Sequence, residues 1–286
     1  MELKQIGDFS LIWGESLRWD DQSNRLYFVD CGTKKLHWLN NAEPPLNAMS
    51  LPSIPTGIGL VEDGRLLVAL EDGLYLLDPD SKVNELLTRY PAAIGRRAND
   101  GTVDSEGNFV TGSLKEENAG SYWWYSARDG WRQLAEGISN ANGPVVIHQN
   151  ENHHLVFADT PAKKLYQYDY NPKVGSASNR RIFADTSVLD GSPDGACATS
   201  NGDVLSCLIK AGVIAQYSSS GLVRTIDAGS EQPSDVCFGG ADLDRLFVVS
   251  IKVEFGHGLP QSPLAGALVE IKNTGLKGLK ENRFRL

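Results

Sequence analysis

The chain has 286 residues, 41% of them apolar, and a formal net charge of −9. No apolar run approaches the ~20 residues of a membrane-spanning helix, and the acidic balance, without a basic stripe or interleaved aromatic and basic residues, argues against a nucleic-acid partner. A chain of this length buries roughly 75% of its unfolded surface, so neither a disulfide nor a metal is needed merely to fold.

Taken from the start, Met1-Glu2-Leu3-Lys4-Gln5 lacks the basic-then-apolar layout of a signal peptide, and a cytoplasmic location is the expectation. Six times thereafter a polar or glycine-bearing turn runs into a short apolar strand. Leu17-Arg18-Trp19-Asp20 leads to Arg25-Leu26-Tyr27-Phe28-Val29-Asp30, and Ile58-Gly59-Leu60-Val61 leads to Arg65-Leu66-Leu67-Val68-Ala69. Gly101-Thr102-Val103-Asp104 precedes Asn108-Phe109-Val110-Thr111, and Val145-Val146-Ile147 precedes Leu155-Val156-Phe157-Ala158-Asp159. Ala196-Cys197-Ala198-Thr199 precedes Val204-Leu205-Ser206-Cys207, and Val236-Cys237-Phe238 precedes Leu246-Phe247-Val248-Val249. Between Leu26, Leu66, Phe109, Leu155, Val204 and Leu246 the steps are 40, 43, 46, 49 and 42 residues. A drifting period of that size in β-type sequence predicts an all-β, six-bladed propeller, four antiparallel strands to a blade. Third strands are expected over residues 35–39, 73–77, 121–125, 164–168, 212–217 and 266–271. Residues 4–9 precede the first repeat and are predicted to pair into the blade containing Leu246, closing the ring as one domain over residues 1–286 without a free edge. Residues 115–120 and 253–263 are irregular, and the second stretch, around His257, is read as a rim or lid.

The phase of the polar residues points to a site. Just before the first strand of each repeat stand Glu15, Gly57, Asn99, Asn142, Asp194 and Ser234-Asp235. The innermost strands of a propeller line its central channel, so these residues gather at one channel mouth. Carboxylate and amide oxygens converging there suit a hard divalent cation. The four cysteines (Cys31, Cys197, Cys207, Cys237) form no CxxC pair and read as small buried core residues. The five histidines show no metal spacing; His153 and His154 read as a solvated hairpin tip. No G-x-S-x-G announces a serine nucleophile.

Gly14-Glu15-Ser16 with Trp19-Asp20, Arg97-Ala98-Asn99-Asp100-Gly101, Asn142-Gly143, Phe157-Ala158-Asp159-Thr160 and Pro193-Asp194-Gly195-Ala196 occur in this order along the chain. Together with Phe238-Gly239-Gly240 and Pro263-Leu264-Ala265-Gly266, they resemble the family of regucalcin (senescence marker protein), gluconolactonases and luciferin-regenerating enzyme, in its sugar-lactonase branch. The resemblance implies one divalent metal on the propeller axis and hydrolysis of a small sugar lactone by a monomer or homodimer. By motif position it implies Glu15, Asn142 and Asp194 as metal ligands, with Arg97, Asn99 and Glu117 meeting substrate hydroxyls. Glu116 competes with Glu117 for its role, and Asn140 with Asn142. Pro144 after Asn142-Gly143 departs from the family's usual continuation.

The chemistry asked of such a site is water attack on an ester carbonyl. Asp194 is the candidate for both ligand and general base, and Arg97 for gripping hydroxyls or developing charge. An all-oxygen donor set favours Ca2+, Mg2+ or Mn2+, with Zn2+ as a fourth option. Two other readings stand beside the lactonase: another metal-dependent esterase or phosphotriesterase-like hydrolase, and a non-catalytic metal-binding or interaction propeller. The polar Arg97/Asn99/Glu117 set argues against the first. The absence of Gly-His and Trp-Asp repeats argues against the second.

Overall fold

A computed structural model of the chain describes all residues except 115–119, 150, 151, 255 and 257, and the side chains of 148, 149 and 152. The described residues form six antiparallel sheets, each built on four strands, arranged as a six-bladed propeller. The innermost strands are Gly14–Asp20, Gly57–Val61, Arg97–Val103, Ala141–Gln149, Ser192–Ala198 and Pro233–Gly239, in blades one to six. Two short 3-10 turns, Ala92–Ile94 and Thr186–Leu189, are the only helical elements described.

Why the second strands read as unbroken apolar runs is clear from the packing. Side chains alternate across a strand, and in a propeller both faces are covered by neighbouring blades. In Arg25–Asp30 of blade one, Leu26 and Phe28 pack with Phe247 and Val249 of blade six, while Tyr27 and Val29 pack with Ile58 and Val68 of blade two. Six such clusters of described residues, one per blade interface, make the core. Aromatics from the third strands belong to it as expected: Tyr122 of blade three stacks on Phe157 of blade four.

Closure of the ring follows the expectation in kind, with a shift in position. The outer strand of blade six is Glu2–Gln5, paired to Val269–Lys272, and not residues 4–9. The ladder ends because Ile6 donates its last backbone bond to Leu268 and Gly7, at φ 69°, turns the chain away. The third strand of that blade likewise starts at Val269, because Gly266 adopts φ 77° in a turn. His153 and His154 lie within the strand Asn152–Asp159, and His154 stands 3.5 Å from Asp169. Their hairpin tip, residues 150–151, lies outside the described residues, as does His257 of the expected lid.

An element with no counterpart in the sequence reading lies at the far end of the channel. After blade six the C-terminal segment bridges Thr199 at Gly278 and then adds Arg283–Phe284 as a fifth, parallel strand beside Gly57–Val61. Arg283 reaches Asp20 and Asp21, Asn282 donates to the Val103 carbonyl at 3.1 Å, and Phe284 is fully buried between blades two and three. All these partners are at the trailing ends of the inner strands or just beyond. The tail therefore covers the channel mouth opposite the polar ring.

Candidate active site

At the ring, the inner strands depart from regular pairing. Between Glu15 and Arg18, Asn99 and Gly101, Asn142 and Val145, Pro193 and Ala196, and Pro233 and Asp235, each inner strand carries one more residue than its partner. Blade two, which presents only Gly57 to the ring, pairs without a shift. A bulge bends the strand and re-aims the side chains beside it. Ser16 (φ 54°), Asp100 (φ 49°) and Gly143 (φ 52°) take the left-handed conformation directly after Glu15, Asn99 and Asn142. Such backbone persists where surrounding contacts fix it.

The side chains so aimed form a connected set. Arg97 Nη1 donates to Asn99 Oδ1 at 2.6 Å. Asn99 Nδ2 in turn donates to the Ala141 carbonyl at 3.0 Å, to Asn140 Oδ1 at 3.3 Å and to Asn142 Oδ1. Asn142 Nδ2 donates to Thr160 Oγ1 at 2.8 Å, and Thr160 donates to the Pro193 carbonyl, one residue before Asp194, at 2.7 Å. From blade three to blade five the rim is one chain of hydrogen bonds. Tyr122 Oη anchors it from below, donating to the Asn142 carbonyl at 2.7 Å. Glu15 accepts from Trp13 Nε1 at 2.8 Å.

Electrostatically, Glu15 and Asp194 share one enclosure with two more carboxylates. Burial, then the charges of Asp194, Asp100 and Asp235, push the Glu15 carboxyl well above the usual range. Burial and the same two aspartates do this to Asp194. Burial raises Asp235 to about 8 and also raises Asp100, against the opposing pull of Arg18. Four carboxylates thus surround a space whose neighbouring buried cations are Arg18 and Arg97, and burial lowers the pKa of Arg97. No three His, Cys, Asp or Glu side chains among the described residues converge tightly enough to hold a metal by themselves. Glu15, Asp194 and the Asn142 amide would offer a hard divalent cation oxygen donors alone, the chemistry it prefers, and a cation there would relieve the repulsion that Asp194 exerts on Glu15.

With this geometry in view, residues 13–252 match the profile described as SMP-30/Gluconolactonase/LRE-like region. The chain belongs to that family. Within the SMP-30/gluconolactonase/LRE-like family, a 6-deoxy-6-sulfogluconolactonase of Pseudomonas putida is 31% identical over 90% of this chain and 90% of its own length. A pentonolactonase of Haloferax volcanii is 28% identical, covering 87% of this chain and 85% of its own. The solved structure of a luciferin-regenerating enzyme superposes with a TM-score of 0.89 at 23% identity, covering 100% of this chain and 99% of that one; this bears on the fold.

Of the six residues singled out from the sequence, five lie at this mouth and Glu117 falls outside the described residues, as does Glu116. Sequence reasoning missed Asp100, Arg18, Trp13 and Thr160. Asp100 follows Asn99 directly, and simple alternation would send it to the opposite face; the bulge returns it to the site. Cys197, half-buried, borders a cavity of about 410 Å³ on the tail side, with Phe238, Leu279 and Glu281. Burial pushes its thiol well above the ordinary range, as it does for the other three cysteines, so all four are neutral packing groups.

Proposed function

We propose that this protein hydrolyses a sugar lactone, of the gluconolactone type, to the free aldonic acid, with one divalent cation held by Glu15, Asn142 and Asp194. The observation that carries the reading is the hydrogen-bonded rim running from Arg97 to the strand of Asp194, beside the buried Asp194 and the part-buried Glu15, in a family whose relatives include named sugar lactonases. A cation bound there supplies Lewis acidity, withdrawing electron density from a carbonyl oxygen and acidifying nearby water.

The chain's own residues do the rest. Asp194 Oδ takes the proton from the attacking water as its oxygen bonds to the lactone carbon, and returns it to the ring oxygen as the C–O bond breaks. Asn142 is fixed for its role by the bonds from Asn99 and to Thr160. The Arg97 guanidinium offers further donors to substrate hydroxyls, and the planar fork suits vicinal oxygens.

The deciding experiment is acid release from a panel of aldonolactones by protein stripped of metal and then reloaded. Turnover that disappears on stripping and returns with one of Ca2+, Mg2+, Mn2+ or Zn2+ is the expected result. Undiminished turnover in the stripped protein, or none on any aldonolactone, would overturn the reading. Arg97→Ala and Asn99→Ala separate binding from chemistry. Loss of a hydrogen bond to a charged group costs about 1.5–3 kcal/mol, so Arg97→Ala should raise KM about 10- to 100-fold with a smaller fall in kcat. Asn99→Ala should lower kcat as well, because Asn99 also holds Asn142. Steady-state kinetics on both variants checks the contrast.

A further inference from the structure

Below the ring, one guanidinium links the bulges. Arg18, from blade one, is buried, and its Nη1 lies 3.5 Å from Asp235 of blade six while its Nη2 lies 3.9 Å from Asp100 of blade three. Blades three and six face each other across a six-bladed ring, so the guanidinium sits across the channel. Its remaining bonds go to the carbonyls of Leu17 and Gly101.

Each of the two carboxylates grips the backbone of another blade. Asp235 Oδ2 accepts from the Leu17 amide at 2.7 Å, inside the bulge that follows Glu15. Asp100 Oδ2 accepts from the Gly143 amide at 2.8 Å, inside the bulge that follows Asn142, while its Oδ1 accepts from Gly101. Asp235 also abuts the bulge of Asp194: a Cβ on Gly195 would lie 2.3 Å from Asp235 Oδ1. Through two aspartates, Arg18 thus bears on the strands of Glu15, Asn142 and Asp194.

We propose that Arg18 is a positioning residue, which fixes through Asp235 and Asp100 the three bulges that aim Glu15, Asn142 and Asp194 at one point. A buried ion pair adds little net stability, because desolvation offsets the attraction; what this one supplies is a single geometry for backbone held at φ 54° and 49°. The effect on turnover rests on the lactonase reading. The effect on the backbone does not.

The test is amide hydrogen exchange on the intact protein, comparing wild type with Arg18→Lys and Arg18→Met. Arg18→Lys keeps the charge and loses the fork, which guards against a Met variant that fails to fold. Faster exchange at Leu17 and Gly143, on two different blades, is expected in both folded variants. The amides of Leu51 and Ala228, bonded to Lys34 and Gly212 away from the channel, should keep their wild-type rates. In parallel, kcat should fall about 10- to 100-fold, the range seen when groups orienting metal ligands are removed, with Lys less impaired than Met. Unchanged exchange at Leu17 and Gly143 in a folded variant overturns the proposal, as does uniform acceleration of all four amides, which would mark general loosening. If wild type turns over no lactone, the function reading fails and the exchange result still decides the role of Arg18.

Discussion

Asp194→Ala should lower kcat by about 10³-fold or more at saturating substrate, because it removes a proposed ligand and the proposed base in one step; general-base assistance alone contributes roughly 10²–10⁴-fold. The variant should fold. Asp194 is held up by burial and by the charges of Asp100 and Asp235, so its removal takes one like charge from a crowded enclosure. Asp194→Asn divides the two roles: the amide oxygen can still coordinate while proton transfer is lost, so metal content should persist as turnover collapses. Cys197→Ser is the control, since a neutral thiol that only packs contributes nothing to the reaction. The pair of outcomes that would force a different mechanism is near-normal kcat in Asp194→Ala with loss of activity in Cys197→Ser. Elemental analysis alongside steady-state kinetics reads every arm.

How far the sequence carried this picture depends on which interactions leave a local trace. Blade number was legible because every second strand must be apolar on both faces, and runs such as Leu26-Tyr27-Phe28-Val29 record that requirement directly. The mouth at which Glu15, Asn99, Asn142 and Asp194 gather was legible from their common phase ahead of those runs. Strand ends were less so, because Gly7 and Gly266 stop ladders by adopting positive φ, and glycine in a sequence marks many kinds of turn. The five bulges left no trace, since one extra residue in an irregular segment looks like ordinary spacing variation. Asp100 and Arg18 were hidden by them. The C-terminal tail was invisible for another reason: Arg283–Phe284 pairs with a strand more than 220 residues away, and nothing local in two residues announces that partner.

The bulges and the tail also suggest a division of labour along the channel. The tail lies over one mouth, with Phe284 packed between blades two and three and Arg283 paired to Asp20 and Asp21, while the opposite mouth concentrates carboxylates under a polar rim. Arg18 lies between the two regions and borders the cavity on the tail side.

A divalent cation at about 100 times its Kd should raise Tm by roughly 5–10 °C over protein in chelator, and the gain should grow with pH. The size follows from mass action: saturation at that ratio stabilises the fold by about 2.7 kcal/mol, and each kcal/mol moves Tm by about 2–4 °C in a chain of this class. The pH dependence follows from the carboxylates. Burial raises Asp235 from 3.8 to about 8, against the pull of Arg18, and burial with like charge raises Glu15 and Asp194 in the same direction. A carboxyl that holds its proton more tightly folded than unfolded contributes stability below its unfolded value, and that stability is lost as pH rises through the folded value. For Asp235 the window runs from about pH 4 to about pH 8. Metal-free protein should therefore lose stability across this range, beyond the loss shown by Asp194→Ala. A bound cation favours the ionised carboxylates and opposes the loss, so loaded protein should show a flatter profile. Thermal unfolding at pH 5, 6, 7 and 8, with chelator or with saturating Ca2+, measures both. Identical Tm values in the two series, or a gap that narrows as pH rises, would mean that Glu15, Asn142 and Asp194 do not hold a cation.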